Sequence, residues 1–233
     1  MKDIITLPDI RECCEKFSRT FKNIPEQVLE ALFMDNSVKS YKKGSVIYSE
    51  GARIKGCYFI YSGIIKIFQT GKEGKEQIIK FEKEGDIIGF RSVISKEPAC
   101  TSAEVLSDCI LCYISDTSLF NLLKNNSDFA YDLIQITCKE LGESNRYIKD
   151  IAQKSVKKRL AEILLLLAHD FGTETDGTLR LNISREDLSN FVGTATETVI
   201  RLLSDYKNEG LVESKGRKIK LLNLEKLKTL AGS

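Results

Sequence analysis

The sequence has no tryptophan, two methionines, three prolines and a single histidine, His169, in 233 residues. One histidine excludes the metal centres and hydrolytic sites that are built on several imidazoles, and with no other catalytic constellation in view the chain does not read as an enzyme. Charge of either sign is scarcely in excess. The 35 Lys+Arg and 33 Asp+Glu leave a balance of +2, so neither a basic nor an acidic tail dominates the chain. No apolar run reaches the roughly 18 residues that a membrane-spanning helix needs. Met1 to Ile10 mixes Lys2, Asp3, Pro8 and Asp9 without a secretory apolar stretch. These features predict a soluble, cytoplasmic protein with no membrane partner.

What is present is the composition of an ordinary globular protein, 42% hydrophobic and 29% charged, long enough for one large or two modest domains. The seven cysteines, Cys13, Cys14, Cys57, Cys100, Cys109, Cys112 and Cys138, are odd in number in a chain without an export signal. They therefore read as thiols or metal ligands, not as a disulfide framework.

From Tyr41 to Ile114 short apolar runs alternate with glycines at Gly44, Gly51, Gly56, Gly63, Gly71, Gly74, Gly85 and Gly89. The runs Ser45 to Tyr48, Cys57 to Tyr61, Ile64 to Gln69, Gln77 to Phe81, Ile87 to Phe90, Cys100 to Val105 and Cys109 to Ile114 have strand length. They predict an antiparallel β-roll, a jelly roll or double-stranded β-helix, of about eight strands. Before it, Val28, Leu29, Leu32 and Phe33 suggest a short helix from Pro25 to Phe33 that covers one end of the roll. After it the period changes to 3.6. Ser118 to Leu123 is a short helix, and Asp128 to about Ala152 is a long one of roughly 37 Å.

The long helix carries two stripes. Phe129, Leu133 and Ile136 form one; Ala130, Ile134, Thr137, Leu141, Ser144, Ile148 and Ile151 form a heptad seam. A helix that needs partners on two faces predicts a homodimer joined through Ile134, Leu141 and Ile148. The alternative is that both stripes pack within one subunit. Gln153, Lys154 and Ser155 then break the pattern before an amphipathic helix at Val156 to Leu167. The expected organisation is α+β: a β-roll at 1–127, a dimerisation helix and hinge at 128–153, and a DNA-binding domain at 154–233.

Ser184 to Gly210 carries that last assignment. Ser184 with Asp187 and Thr194 with Glu197 resemble two capping boxes in succession, Ser189 is small where two helices would cross, and Gly193 turns the chain. This is helix-turn-helix spacing. Ser184 and Arg185 open the first helix, and Thr194, Thr196 and Thr198 flank the start of the second, where hydroxyls can meet phosphate or only cap. Glu197 and Arg201 share a face: an arginine bonds guanine O6 and N7 together while a carboxylate accepts from cytosine N4. The plain alternative is an i,i+4 surface ion pair. Leu211 to Leu222 predicts a hairpin wing with Lys215, Gly216 and Arg217 at its tip, placed for phosphates. From Ile151 onward there are 14 Lys+Arg and 11 Asp+Glu, clustered at 154–159 and 215–220. Local clustering is what phosphate contact needs.

Taken together, Lys43-Gly44-Ser45-Val46-Ile47, Glu50-Gly51, Tyr58 to Gly63, Glu84 to Gly89, Val192-Gly193, Glu197-Thr198-Val199 and Arg201-Leu202-Leu203 resemble the Crp/Fnr superfamily of bacterial transcription regulators over nearly the whole chain. The resemblance implies a homodimeric winged-helix regulator whose roll senses a signal and whose Glu197 and Arg201 read a TGA-type half-site in an inverted repeat. It also implies RNA polymerase as a further partner.

The sensing positions depart from the cyclic AMP-binding members, in which glutamate follows Gly89 and an Arg-Ser pair stands eleven residues after that glycine. Here they are Phe90, Cys100 and Thr101, which argues against cyclic AMP because a ribose acceptor and a fixed cation are both missing. Ser144 and Asn145 fall where the family's purine contacts lie, and as small polar residues in a seam they have a second explanation. Gly89-Phe90 and Cys112 resemble the iron-sulfur branch, but Cys13 and Cys14 are adjacent and do not supply its spaced ligands. Cys109 and Cys112 would point to opposite faces of one strand. Heme stays open with no ligand marked, His169 reading as a helix-end residue. No metal site is assigned, and the effector stays unknown.

Overall fold

The computed structural model describes residues 7–21, 24–33 and 38–232. They form two compact units: residues up to Gly71 with Ile79–Leu141, and Lys72–Ile78 with Gly142 onward.

β1 (Val38–Tyr41), β2 (Val46–Tyr48), β3 (Gly56–Thr70), β4 (Glu76–Lys83, of which residues 76–78 belong to the second unit), β5 (Ile87–Ile88) and β6 (Ser102–Ser115) make one six-stranded sheet in the order β1-β6-β3-β4, with β2 also on β6 and β5 also on β3. Strand β6 runs antiparallel to β1, β2 and β3. The sequence suggested about eight strands, and among the described residues there are six. Cys57 to Tyr61 and Ile64 to Gln69 are one bent strand, as are Cys100 to Val105 and Cys109 to Ile114. Register shifts between Ile60 and Ile65 absorb the bend without ending the pairing. Gly63 makes this possible: its φ is +97°, and a Cβ there would lie against Cys109 Sγ and 2.6 Å from Asp108 O.

Two apolar clusters form, and strands β3 and β6 contribute to both. Cys57, Phe59, Cys112 and Ile114 join one cluster; Ile60, Ile65, Ile67, Cys109 and Leu111 join the other. Cys109 and Cys112 are thus on opposite faces, as period two requires. The first cluster is closed by α1 (Ile10–Thr20) and α2 (Glu26–Phe33), α4 (Asp116–Asn125) and the first turns of α5 (Ser127–Gln153), through Phe129 and Leu133. Phe17 stands at its centre, with ring centroids 4.8 to 6.2 Å from Phe21, Phe33, Phe59 and Phe129. Each such pair contributes about 0.5–1.5 kcal/mol beyond area burial. Helix α1 was not foreseen, and Val28, expected on the buried face of α2, is exposed. Ile87 to Phe90, expected as a strand, ends at Ile88, because Gly89 turns left-handed (φ +80°) and Phe90 opens α3 (Phe90–Ser95).

The second unit contains α6 (Val156–Phe171), α7 (Arg185–Val192), α8 (Thr196–Asn208), the hairpin β7 (Val212–Lys215) and β8 (Lys218–Leu221), and α9 (Leu224–Ala231). Its core is Leu160, Leu164, Leu167, Leu188, Val192, Val199, Leu203, Tyr206 and Leu227, all buried. Helix α9, missed in the sequence, packs on α6. His169 sits exposed in the last turn of α6, bonded to Asp170.

Candidate nucleic-acid interface

Helices α7 and α8 are joined by a short turn whose geometry is fixed from three sides. Ser184 caps α7, its hydroxyl accepting from Asp187 N at 2.9 Å and donating to Asp187 Oδ2 at 2.5 Å. Gly193 closes α7 in the left-handed region (φ +73°), its N–H donating to Ser189 O. Arg159 of α6 then donates to the carbonyls of Val192 at 3.1 Å and Gly193 at 3.3 Å, satisfying acceptors that a helix end leaves open. Ser189 is fully buried at the crossing and shares a 2.9 Å hydrogen bond with Thr196 Oγ1.

The second capping box does not form. Helix α8 is preceded by Ala195, which offers no side-chain cap. Thr194 stands one residue too early, and the Thr196 hydroxyl is occupied by Ser189. Thr194, Thr196 and Thr198 are half-buried around this turn. Arg185 is half-buried, with Nη1 without a hydrogen-bond partner among the described residues and its pKa lowered by burial.

Helix α8 buries Val199, Leu202, Leu203 and Tyr206, and it leaves Glu197, Ile200, Arg201 and Ser204 exposed on the opposite face. Among the described residues neither Glu197 nor Arg201 has an ion-pair partner. The i,i+4 bridge that would have explained them is therefore absent, and five guanidinium donors and two carboxylate oxygens face outward together. Ile200 was not singled out in the sequence. Its signal was available: an isoleucine one residue before Arg201, on a helix whose other large apolar residues fill the buried positions. The wing follows the expected hairpin, with Lys215 paired to Lys218 and Gly216 (φ +57°) and Arg217 forming the two-residue tip. Lys215 and Arg217 are exposed.

Helix α5 divides as its stripes predict. Phe129 and Leu133 are buried, whereas Ile134, Leu141 and Ile148 are 59%, 62% and 66% exposed in the single chain. Ser144 and Asn145 lie exposed on the same helix, in the second unit.

The sensing positions of the roll are closed. Phe90 is only 4% exposed and belongs to the apolar cluster under α1. Thr101 bonds the Tyr48 hydroxyl, which burial pushes up to about 12. The Arg91 guanidinium donates to Cys100 Sγ, so a cation does stand at the position where the sequence lacks its arginine, supplied from nine residues earlier. Lys80 pairs with both Glu82 and Glu140. Burial opposes the Lys80 charge, but those two carboxylates outweigh it and raise its pKa. Burial pushes the Glu82 carboxyl up to about 8. Arg91, Lys80 and Glu82 were not anticipated.

Cys112 Sγ donates to Cys13 Sγ at 3.4 Å, with both buried. Among the described residues no group of three or more His, Cys, Asp or Glu is arranged to hold a metal ion. The thiols present do not bring together the four ligands of an iron-sulfur cluster. No helix among the described residues is long and apolar enough to cross a membrane.

Residues 38–126 match the Cyclic nucleotide-binding domain family, and residues 158–230 match the Crp-like helix-turn-helix domain family. Electron transport regulator A of Shewanella oneidensis is 29% identical over 197 residues, covering 84% of this chain and 78% of that protein. The fumarate and nitrate reduction regulatory protein of Escherichia coli is 28% identical over 204 residues, covering 85% and 81%. Among solved structures, FixK2 from Bradyrhizobium japonicum superposes with a TM-score of 0.75 at 26% identity, covering 84% of this chain and 97% of that one. A glycine-bent roll, a long helix with one open apolar stripe and a winged helix-turn-helix with an unpaired Glu197 and Arg201 agree with these likenesses: the chain belongs to the Crp/Fnr family of DNA-binding transcription regulators.

Proposed function

We propose that two copies of the chain join through Ile134, Leu141 and Ile148 of α5, and that the pair binds an inverted-repeat operator. Each copy places α8 in a major groove, where Arg201 bonds guanine O6 and N7 and Glu197 accepts from cytosine N4. Ser184, Arg185, Thr194 and Thr198, with Lys215 and Arg217 of the wing, stand where they can meet the flanking phosphates and fix the register. Thr196 contributes through Ser189, by holding the turn. Bound in this way, the pair acts on transcription through contact with RNA polymerase.

The observation that carries this reading is that Glu197 and Arg201 are both exposed and, among the described residues, both without an ion pair, on the second helix of the motif. Selection on randomised duplexes tests it. The expected product is a palindrome with half-sites about 10–10.5 base pairs apart, centre to centre. A non-palindromic product, or one whose preference survives Arg201→Ala, would remove these roles.

Cyclic AMP is not the effector in this reading, because buried Phe90 stands where a ribose acceptor is needed. A second reading, in which the roll serves only structure and dimerisation, is favoured by one observation: Cys100 and Thr101 already have partners inside the roll.

A further inference from the structure

Helix α8 sorts its apolar residues sharply. Val199, Leu202, Leu203 and Tyr206 are all buried, and Ile200 alone among its large apolar residues is exposed, at 52%. A single exposed isoleucine is common on protein surfaces and by itself needs no explanation. Its neighbours give this one a context. It lies three residues after Glu197 and next to Arg201, which puts its Cβ about 5–6 Å from that of Glu197 on the same face. Among the described residues neither Glu197 nor Arg201 on that face has an ion-pair partner, and Ile200 stays exposed. Towards the start of the helix the hydroxyl one turn before it, Thr196 Oγ1, is committed to Ser189, and one turn after it Ser204 is exposed.

The edges of base pairs in the major groove present donors, acceptors and one apolar group, the C5-methyl of thymine. A branched aliphatic side chain between a guanidinium and a carboxylate can gain from contact with that methyl alone. Against any other base edge it would cover a polar group without bonding it. We propose that Ile200 reads the C5-methyl of a thymine adjacent to the G·C pair contacted by Arg201, which makes it a specificity-determining residue of the operator half-site. This inference rests on the assignment of α8 as the DNA-reading helix.

Replacing thymine by uracil removes the methyl and leaves every hydrogen-bonding group in place, so it isolates the contact. In the selected operator, each thymine of both half-sites is exchanged for uracil in turn, and affinity at fixed salt is measured by fluorescence anisotropy for the full-length chain, Ile200→Ala, Ile200→Val and Arg201→Ala. For the unmodified chain one position per half-site should cost about three- to fivefold, the order expected of one methyl removed from water. Ile200→Ala should bind the thymine and uracil duplexes alike, and Ile200→Val should recover most of the discrimination. Circular dichroism of Ile200→Ala should match that of the parent chain, since an exposed side chain is being shortened. If no thymine responds, or if Ile200→Ala loses as much on uracil as the parent does, Ile200 reads no methyl. An operator preference unaffected by Arg201→Ala would instead overturn the reading-helix assignment, and this inference with it.

Discussion

The two units treat their polar side chains in opposite ways. In the roll, the residues at the family's sensing positions are turned inward or already engaged: Phe90 is buried, Thr101 holds Tyr48 and Cys100 holds Arg91. In the same unit Lys80 lies between Glu82 and Glu140. On α8 the corresponding inventory is left open, with Glu197, Arg201 and the wing residues Lys215 and Arg217 exposed. A polar group without an internal partner costs little in water and is ready for an external one. A buried group must be satisfied from within. The difference separates a surface kept ready for a ligand from an interior whose bonds a ligand would first have to break.

The largest expected effect comes from the other open surface, the stripe on α5. Leu141→Glu would place a carboxylate in an interface that excludes water, and it should yield monomers that lose specific operator binding. Sedimentation measures the state, and an unchanged dimer would move the interface elsewhere. Next in size is Arg201→Ala, which should cost about 1–3 kcal/mol per half-site and relax discrimination at one G·C pair, read by competition among variant operators.

Lys215→Ala should weaken all sequences alike and flatten the slope of log affinity against log salt by about 0.9 for each phosphate the wing no longer neutralises. A loss confined to one operator sequence would make Lys215 a base reader and blur the contrast with Arg201. The smallest effect is expected from the closed unit. Millimolar cyclic AMP should leave DNA binding unchanged, and calorimetry showing micromolar binding would break the comparison outright. Burial likewise pushes the Cys57 thiol up to about 12 from its ordinary value of 9.0. Its contribution to stability is therefore full below about pH 9 and is lost as pH rises through about 12. Alkylation in the folded state at pH 8 should spare it.

Most of the fold was legible because it is written in periods. Glycine-spaced alternation announced the roll, and a heptad announced α5. The failures have local causes. Two strands read as four because Gly63 and its register shifts bend the chain without breaking its pairing. Helix α1 escaped because its buried face is only Cys13, Cys14 and Phe17 set among charges, although Asp9 and Glu12 form a capping box that marks its start. On α8 the shared face of Glu197 and Arg201 was readable from their four-residue spacing, and both are exposed there. Ile200 was passed over because an apolar residue on a helix is first assigned to a core. The Arg91 guanidinium on Cys100 could not be read at all, since nothing in a nine-residue separation says that a turn of helix brings the two together.

The distribution of thiols has a practical consequence. Five of the seven cysteines are buried, Cys100 is half-buried beneath Arg91, and Cys138 is exposed. Cys138 lies on α5 one turn from Ile134 and from Leu141, at the border of the open stripe. The chain therefore carries its own labelling point: a maleimide dye at neutral pH should mark one position in each copy. Energy transfer between two such dyes would follow the joining and parting of copies in real time, with no residue changed.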